Sequence, residues 1–398
     1  MRSRTNKLRS LIVTYWQPAV FYGMLIIFFG LLSWFRLGIL TGGYSAAELA
    51  ALQASDSLGH VLSDPVNAPF NLVAYLLSLL HIGGDQSLLA LRATSTAFGL
   101  LTLTVFYWLV RHWHGERSAI LGTVVFGCSA WFLHTARLGT PDILFFLLLS
   151  FVACSVWLKQ TDNRLLLLIG FALVASLLYI PGMVWLLLIG GVWYGKNIVK
   201  LFKEHFVLMG LGSVGLLALV APLAWAVFRS AETARAIAGL PAKGWPHITD
   251  VLQRLANVPY NLFAQGPLDP QHWLGRLPIL EAFSIAMVVL GAYLYWCHRR
   301  LARTKMVATA LLAGALLISL GGAVSVSILI PFVYILVAAG IGFMLDRWQT
   351  VFPRNVIAQS VGVGLISIAV IAASWYGIRH YFVAWPNAPE TRQVFTIK

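Results

Sequence analysis

Long apolar segments separated by short charged connections constrain this chain more than any other feature of its sequence. A helix needs about 20 apolar residues to cross the hydrocarbon core of a bilayer. The segments are continuously apolar, whereas the strands of a transmembrane barrel alternate at period two. We therefore predict an all-α, polytopic membrane protein with about eleven transmembrane helices. They are expected at residues 18–40, 88–110, 118–136, 141–158, 165–180, 182–195, 206–228, 277–297, 306–323, 325–345 and 356–377.

The composition supports the same conclusion. Hydrophobic residues make up 59% of the chain and charged residues 11%, against about 45–50% and about 25% in soluble domains. A soluble fold could not cover so much apolar surface, so membrane lipids are the expected surroundings. The formal net charge of +14 could suggest nucleic acid, but Lys and Arg lie in short clusters between apolar segments, as membrane topology requires. No nucleic-acid partner is therefore expected.

The distribution of charge predicts the orientation. Lys and Arg concentrate in short connections on the side of the N-terminus, and most acidic residues fall on the other side. The positive-inside rule then predicts a cytoplasmic N-terminus and an extracytoplasmic C-terminus in a plasma membrane. The fifth and sixth segments, 165–180 and 182–195, meet at Ile180-Pro181-Gly182. If they formed one long kinked helix, the count would change and every later loop would lie on the opposite side.

Two loops on the outer side are long. The first, residues 41–87, contains the amphipathic stretch Pro69 to Leu80, which is too short to span and is expected to lie along the membrane interface. The second, residues 229–276, is rich in proline, so we expect turns rather than one continuous helix.

Four charged residues lie at the outer edge of the membrane: Glu48, Arg92, Arg137 and Asp142. Charge at or within a membrane is costly, so each is a functional hypothesis. Each also has a structural alternative. Arg137 and Asp142 could form an interfacial ion pair, Arg92 could extend toward lipid headgroups, and Glu48 could stabilise the N-terminus of a helix that begins at Ala46.

The order of these residues and of the motifs around them resembles a known family, the GT-C membrane glycosyltransferases. The similarity is to family 39, the group of protein O-mannosyltransferases and lipid A aminoarabinose transferases. It runs over residues 15–200 and more weakly to residue 345. The motifs that carry it are Ala47-Glu48, Asn67-Ala68-Pro69-Phe70, Leu91-Arg92-Ala93-Thr94-Ser95, the stretch from Ser129 to Arg137 with Asp142, and Tyr179-Ile180-Pro181-Gly182.

The resemblance implies a GT-C-like fold and an activity. Residues 1–345 would form the transmembrane catalytic module, and residues 346–398 the last helix and a short extracytoplasmic tail, without a separate soluble domain. Such enzymes transfer a sugar, with inversion, from a polyprenyl-phosphate donor to a cell-envelope lipid, glycan or protein. Here Ala47 stands where the family has the acidic residue that serves as catalytic base, and Asn67 stands where it has lysine.

The resemblance also implies roles for individual residues. Glu48, alone or together with Asp64 or Asp56, is the candidate general base, and Asp142 would orient Arg137 or position the acceptor. Arg137 and Arg92 are candidate ligands of the donor phosphate, because guanidinium groups bind phosphate oxygens through paired hydrogen bonds. The groove for lipid or acceptor would include Asn67, Pro69 and Tyr179.

The remaining expectations concern cofactors and alternative functions. No resident cofactor is indicated, and whether the activity requires a divalent metal stays open. A transporter or lipid flippase would carry polar residues and broken helices at mid-membrane, whereas most predicted segments have apolar middles. A catalytically inactive relative that binds polyprenyl lipid is the second alternative, because Ala47 replaces an acidic residue.

Overall fold

The computed structural model describes residues 20, 22–80, 88–160, 164–242 and 244–396. Across these residues the regular structure is helical apart from one two-stranded hairpin, so the predicted all-α class is confirmed. The first half contains α1 (Tyr22–Trp34), α2 (Ala46–Ala54), α3 (Leu58–Ser63), α4 (Ala68–Leu79), α5 (Leu88–His114), α6 (Glu116–Cys128), α7 (Ala130–Arg137), a 3₁₀ turn (Pro141–Phe146), α8 (Leu147–Leu158), α9 (Arg164–Leu178) and α10 (Met183–Glu204).

The second half begins with α11 (Phe206–Arg229), α12 (Ala231–Ile237) and α13 (Ile248–Phe263), followed by the strands β1 (Leu268–Asp269) and β2 (Trp273–Leu274). It continues with α14 (Ala282–Cys297), α15 (Ala302–Ser319), a 3₁₀ turn (Val326–Ile328), α16 (Ile330–Val351), α17 (Val356–Arg379), a π-helical turn (His380–Ala384), α18 (Trp385–Asn387) and α19 (Pro389–Val394).

The chain is a multi-pass membrane protein. Within the described residues, six helical segments are long and apolar enough to cross a membrane, and the bent pair α6–α7 would make a seventh. Each predicted segment overlaps one or more helices. However, α1, α9 and α14 are short, α10 is not among the six candidate crossings, and the predicted count of eleven crossings is not confirmed. The orientation of the termini and the domain division at residue 345 stay predictions. Helix α16 continues past that division to Val351.

Helix α16 is the centre of the bundle, with 89% of its apolar stretch buried. It packs against α14, α6 and α5. Two glycines allow a very close crossing with α14, because an added Cβ at Gly340 would lie 2.1 Å from the Met287 carbonyl oxygen, and one at Gly291 would lie 2.0 Å from that of Leu336. Small residues permit such backbone approach between membrane helices.

The predicted single segment 118–136 is instead two helices, which meet at an angle of 64°. The break is at Ser129, whose extended backbone ends α6 and whose hydroxyl accepts a hydrogen bond from the Phe132 N–H at the start of α7. Helix α17 packs against the break through Gly377, where an added Cβ would lie 2.3 Å from the Cys128 carbonyl oxygen. The bend sets the direction of α7, which ends at Arg137.

The two long loops contain the predicted elements. The stretch from Pro69 to Leu80 forms α4, and its position at the interface stays a prediction. As predicted, the second loop is not one helix, because α12, α13 and the β1–β2 hairpin follow one another. Most of its prolines lie outside helices, but Pro259 lies within α13.

The crossing of α14 and α16 predicts a contrast between two glycines. Gly340→Leu should lower the free energy of unfolding by about 1–3 kcal/mol, because the new side chain must push against the α14 backbone. Gly364→Leu on α17 is the matched control, since an added Cβ there meets nothing within 4 Å. Thermal unfolding in detergent measures both, and equal stability of the two variants would contradict this packing.

Candidate active site

A fully buried ion pair joins Glu48 to Arg92. Glu48 is in the first turn of α2, where it forms a capping box with Ser45. Arg92 Nε lies 2.8 Å from Glu48 Oε1, and Arg92 Nη2 lies 3.0 Å from Oε2. The carboxylate also accepts the Ser45 N–H at 3.2 Å and the Gly139 N–H at 2.9 Å. Four N–H donors therefore surround this one carboxylate.

Arg92 uses its remaining donors on the segment that follows α1. Its Nη1 donates to the Leu37 carbonyl oxygen at 3.1 Å, and its Nη2 donates to Thr41 Oγ1 at 2.8 Å and to the Gly43 carbonyl oxygen at 3.2 Å. Each of its three nitrogens thus has a protein partner, and the side chain is buried rather than extended toward lipid headgroups. The predicted roles of Glu48 as base and of Arg92 as phosphate ligand stay predictions.

Arg137 is the second buried guanidinium, only 1% exposed. Its Nη2 donates to the Phe35 carbonyl oxygen, and the group lies over the rings of Tyr381 and Phe382, 4.9 and 4.5 Å from their centroids. Its Nε and Nη1 have no hydrogen-bond partner among the described residues. The expected ion pair with Asp142 is not formed in the described structure, since Asp142 pairs with His272.

His272 lies between two carboxylates. Its Nδ1 is 2.8 Å from Asp269 Oδ2, in a hydrogen bond, and its Nε2 is 3.2 Å from Asp142 Oδ2, at ion-pair distance but without hydrogen-bond geometry. The β1–β2 hairpin fixes this arrangement. Asp269 on β1 pairs with Trp273 on β2, so the residue before Trp273, His272, lies beside Asp269, and its N–H donates to the Asp269 carbonyl oxygen at 2.9 Å. Burial alone lowers the pKa of His272, but the two carboxylates outweigh burial and raise the pKa to about 10.

Two more buried histidines lie where α7 packs against the π-helical turn His380–Ala384. His134, one turn before Arg137 on α7, and His380 have no partner on either ring nitrogen within the described structure. Their rings lie 6.2 Å apart, and His134 is 4.7 Å from the ring of Tyr381. We call Arg137, His134 and His380 the Arg137 cluster. Buried polar groups normally find partners, so this cluster of orphaned donors and acceptors is the most unusual chemical feature of the described chain.

The other predicted residues lie elsewhere. The Asn67 N–H donates to the Tyr179 carbonyl oxygen at 2.9 Å, so these two groove candidates meet beside Pro69 at the start of α4. Asp64 is exposed at the end of α3, where its carboxylate accepts the Val66 N–H at 3.4 Å. The roles predicted for these residues stay predictions.

The sequence predicted Asp142 but missed its partner. His272 lies 130 residues from Asp142 along the chain, so no local pattern indicates that the two side chains meet. Its local pairing with Asp269, three residues earlier, was a readable signal. In the described part of the chain, no group of three or more His, Cys, Asp or Glu side chains could hold a metal ion.

The buried pair predicts a large loss of stability when Arg92 alone is removed. Arg92→Met should cost about 3–5 kcal/mol, because it leaves the Glu48 carboxylate buried without a counter-charge. The double variant Glu48→Gln/Arg92→Met should recover part of that loss. Arg111→Met is the matched control, because the Arg111–Glu116 pair is partly exposed and worth about 0–1 kcal/mol. Unfolding midpoints in detergent that fall equally for Arg92→Met and Arg111→Met would contradict the assignment.

His272 predicts a pH dependence. Because its pKa rises from 6.5 to about 10 on folding, its stabilising effect is complete below about pH 6.5 and is lost as the pH rises through about 10. The unfolding temperature should therefore fall between pH 7 and 10 more steeply in the parent protein than in His272→Gln. Parallel curves for the two proteins would show that the histidine is not protonated between the carboxylates.

No family model matches the sequence, and no curated protein matches it significantly. Among solved structures, ArnT from Cupriavidus metallidurans in the apo state is 16% identical with a TM-score of 0.54, over 95% of this chain and 77% of ArnT. ArnT bound to undecaprenyl phosphate gives 14% identity and a TM-score of 0.52, over 94% and 76%. The archaeal oligosaccharyltransferase AglB from Archaeoglobus fulgidus, with an inhibitory peptide and a dolichol-phosphate, gives 13% and 0.50, over 93% and 56%. At this identity the likeness is one of fold, and the chain has the GT-C-like membrane fold that its sequence predicted.

Proposed function

We propose that this chain is a membrane glycosyltransferase that passes a sugar from a polyprenyl-phosphate donor to a hydroxyl acceptor, with inversion. The observation that carries the proposal is the uncompensated charge of Arg137, buried at one end of a fold shared with ArnT and AglB. Solved structures of these two neighbours hold undecaprenyl phosphate and dolichol-phosphate, respectively. A phosphate group attached to a long apolar tail is therefore the class of ligand that we propose for this protein.

The phosphate is assigned to Arg137 by elimination within the buried charges. Arg92 is neutralised by Glu48, whereas Arg137 has a single carbonyl partner and two nitrogens without any. A buried cation without a counter-ion is costly. A phosphate oxygen would supply both the missing charge and the missing acceptors, and such charge-assisted bonds strengthen as the phosphate leaves with the bond's electron pair.

The base is assigned to Asp142 rather than Glu48. A carboxylate offers about four lone-pair sites, and four N–H donors already occupy those of Glu48. The Asp142 side chain is 25% exposed, and its recorded partner is His272. In the proposed step, the acceptor oxygen bonds to the anomeric carbon and gives its proton to Asp142, while the bond from that carbon to the phosphate oxygen breaks.

Glu48 then has a positioning role. By accepting the Gly139 N–H, it holds the turn that connects Arg137 to Asp142. The acceptor would be a lipid, glycan or protein of the cell envelope, on the extracytoplasmic face of a plasma membrane. That location rests on the charge distribution of the sequence, which predicts the side of the membrane on which Arg137 and Asp142 lie.

Transfer of labelled sugar from polyprenyl-phosphate donors by the purified protein tests the proposal. Asp142→Asn should lower turnover by about 10²–10⁴-fold, as expected for loss of a general base. Arg137→Gln should lower it by about 10²–10³-fold, as expected for loss of charge stabilisation. Asp250→Asn and Arg276→Gln are the matched controls, because both residues are exposed, and these variants should keep parental turnover.

Other outcomes separate the alternatives. Turnover that survives Asp142→Asn but collapses in Glu48→Gln would return the base to Glu48, as the family resemblance implies. Binding of polyprenyl phosphate without turnover of any donor would favour a catalytically inactive relative. Movement of the lipid across proteoliposome membranes without transfer would favour a flippase.

A further inference from the structure

A cavity of about 800 Å³ lies between α8, α9, α10 and α15, away from the Arg137 cluster. Its walls are largely apolar and include Leu148, Phe151, Leu186 and Met306. Small residues leave this space open on the α10 side, since a Cβ added at Gly190 or at Gly191 would meet nothing within 4 Å. Its size is within the range of about 300–1,000 Å³ that is typical of ligand sites.

The polar residues of the cavity gather at one end. Lys159 directly follows α8, and Tyr194, Asn197, Lys200 and Glu204 lie on the second half of α10. Lys159 Nζ lies 4.3 Å from the centre of the Tyr194 ring, and Lys200 Nζ lies 3.5 Å from Glu204 Oε1. Two lysines thus face one carboxylate, and this end of the cavity carries a net positive charge.

This charged end is on the opposite side of the membrane from Asp142. The segment Pro141–Leu158 is one candidate crossing of 18 residues. Its 3₁₀ turn of six residues and its α-helix of twelve residues make it about 30 Å long, at about 2.0 and 1.5 Å per residue. Asp142 is at its start, and Lys159 immediately follows its end. The cavity therefore combines an apolar interior at membrane depth with a cationic rim at the far membrane surface.

We propose that this cavity binds one anionic phospholipid from the leaflet opposite the Arg137 cluster. Its acyl chains would lie along α8, α9 and α15, and its phosphate would lie at Lys159 and Lys200. Lipid is the occupant that a cavity at this depth meets, and basic residues at a membrane surface attract acidic headgroups. A polyprenyl donor whose phosphate is at Arg137 could not also place that phosphate at this rim.

Native mass spectrometry of delipidated protein in detergent tests the site with three added lipids. These are phosphatidylglycerol, phosphatidylcholine and undecaprenyl phosphate. Phosphatidylglycerol should bind at least about tenfold more tightly than phosphatidylcholine, since tenfold corresponds to only 1.4 kcal/mol. Gly190→Phe, which fills the cavity, should weaken phosphatidylglycerol binding by a similar factor. Gly195→Phe is the matched control, because Gly195 is on the same helix, also faces open space and does not line the cavity.

A charge variant tests the rim independently of the cavity-filling one. Lys159→Gln/Lys200→Gln should reduce the preference for phosphatidylglycerol, whereas Lys203→Gln, a residue outside the lining, should not. If Gly190→Phe fails to fold, Gly191→Leu and the lysine variants decide the question. Equal binding of the two phospholipids, or unchanged phosphatidylglycerol binding in the cavity-filling and rim variants, would overturn the proposal. If Gly190→Phe lost only the binding of undecaprenyl phosphate, that result would also overturn the proposal, because the cavity would then bind the tail of the donor.

Discussion

The buried ion pair of Glu48 and Arg92 is the interaction on which the arrangement of the candidate site depends. It joins four parts of the chain: the start of α2, helix α5, the segment after α1 through Leu37, Thr41 and Gly43, and the turn at Gly139. Ions buried away from water are tolerated when they are paired and fully hydrogen-bonded. Here both conditions are met, because the carboxylate receives four N–H donors and each nitrogen of the guanidinium has an acceptor.

The same pairing explains why the second arginine is chemically different. With Arg92 neutralised, Arg137 is the buried cation whose charge and two of whose nitrogens lack a partner in the described structure. Two aromatic rings cover it, and such contacts compensate only part of the lost hydration. On the other side of the Gly139 turn, Asp142 pairs with His272 and keeps part of its surface exposed. One turn thus separates a buried cation without a counter-ion from a partly accessible carboxylate, the two charges on which the proposed transfer depends.

The sequence predicted the class of fold and indicated four charged residues of the candidate site, because both follow from local patterns. Apolar length revealed the helices, and the cost of charge at a membrane edge marked Glu48, Arg92, Arg137 and Asp142. It could not reveal how these charges pair, since Glu48 and Arg92, like Asp142 and His272, meet only through the tertiary fold. The 64° break at Ser129 was missed for a related reason, because an apolar pattern continues through a bend that one serine can cap.

The central claim is that the donor phosphate binds Arg137 while the Glu48–Arg92 pair stays intact. An experimental structure of the protein with bound undecaprenyl phosphate tests it most directly. We expect a phosphate oxygen within hydrogen-bond distance of Arg137 Nε or Nη1, with Arg92 still paired to Glu48. A phosphate bound to Arg92, with Glu48 released toward the acceptor side, would contradict this account and restore the roles that the sequence resemblance implies.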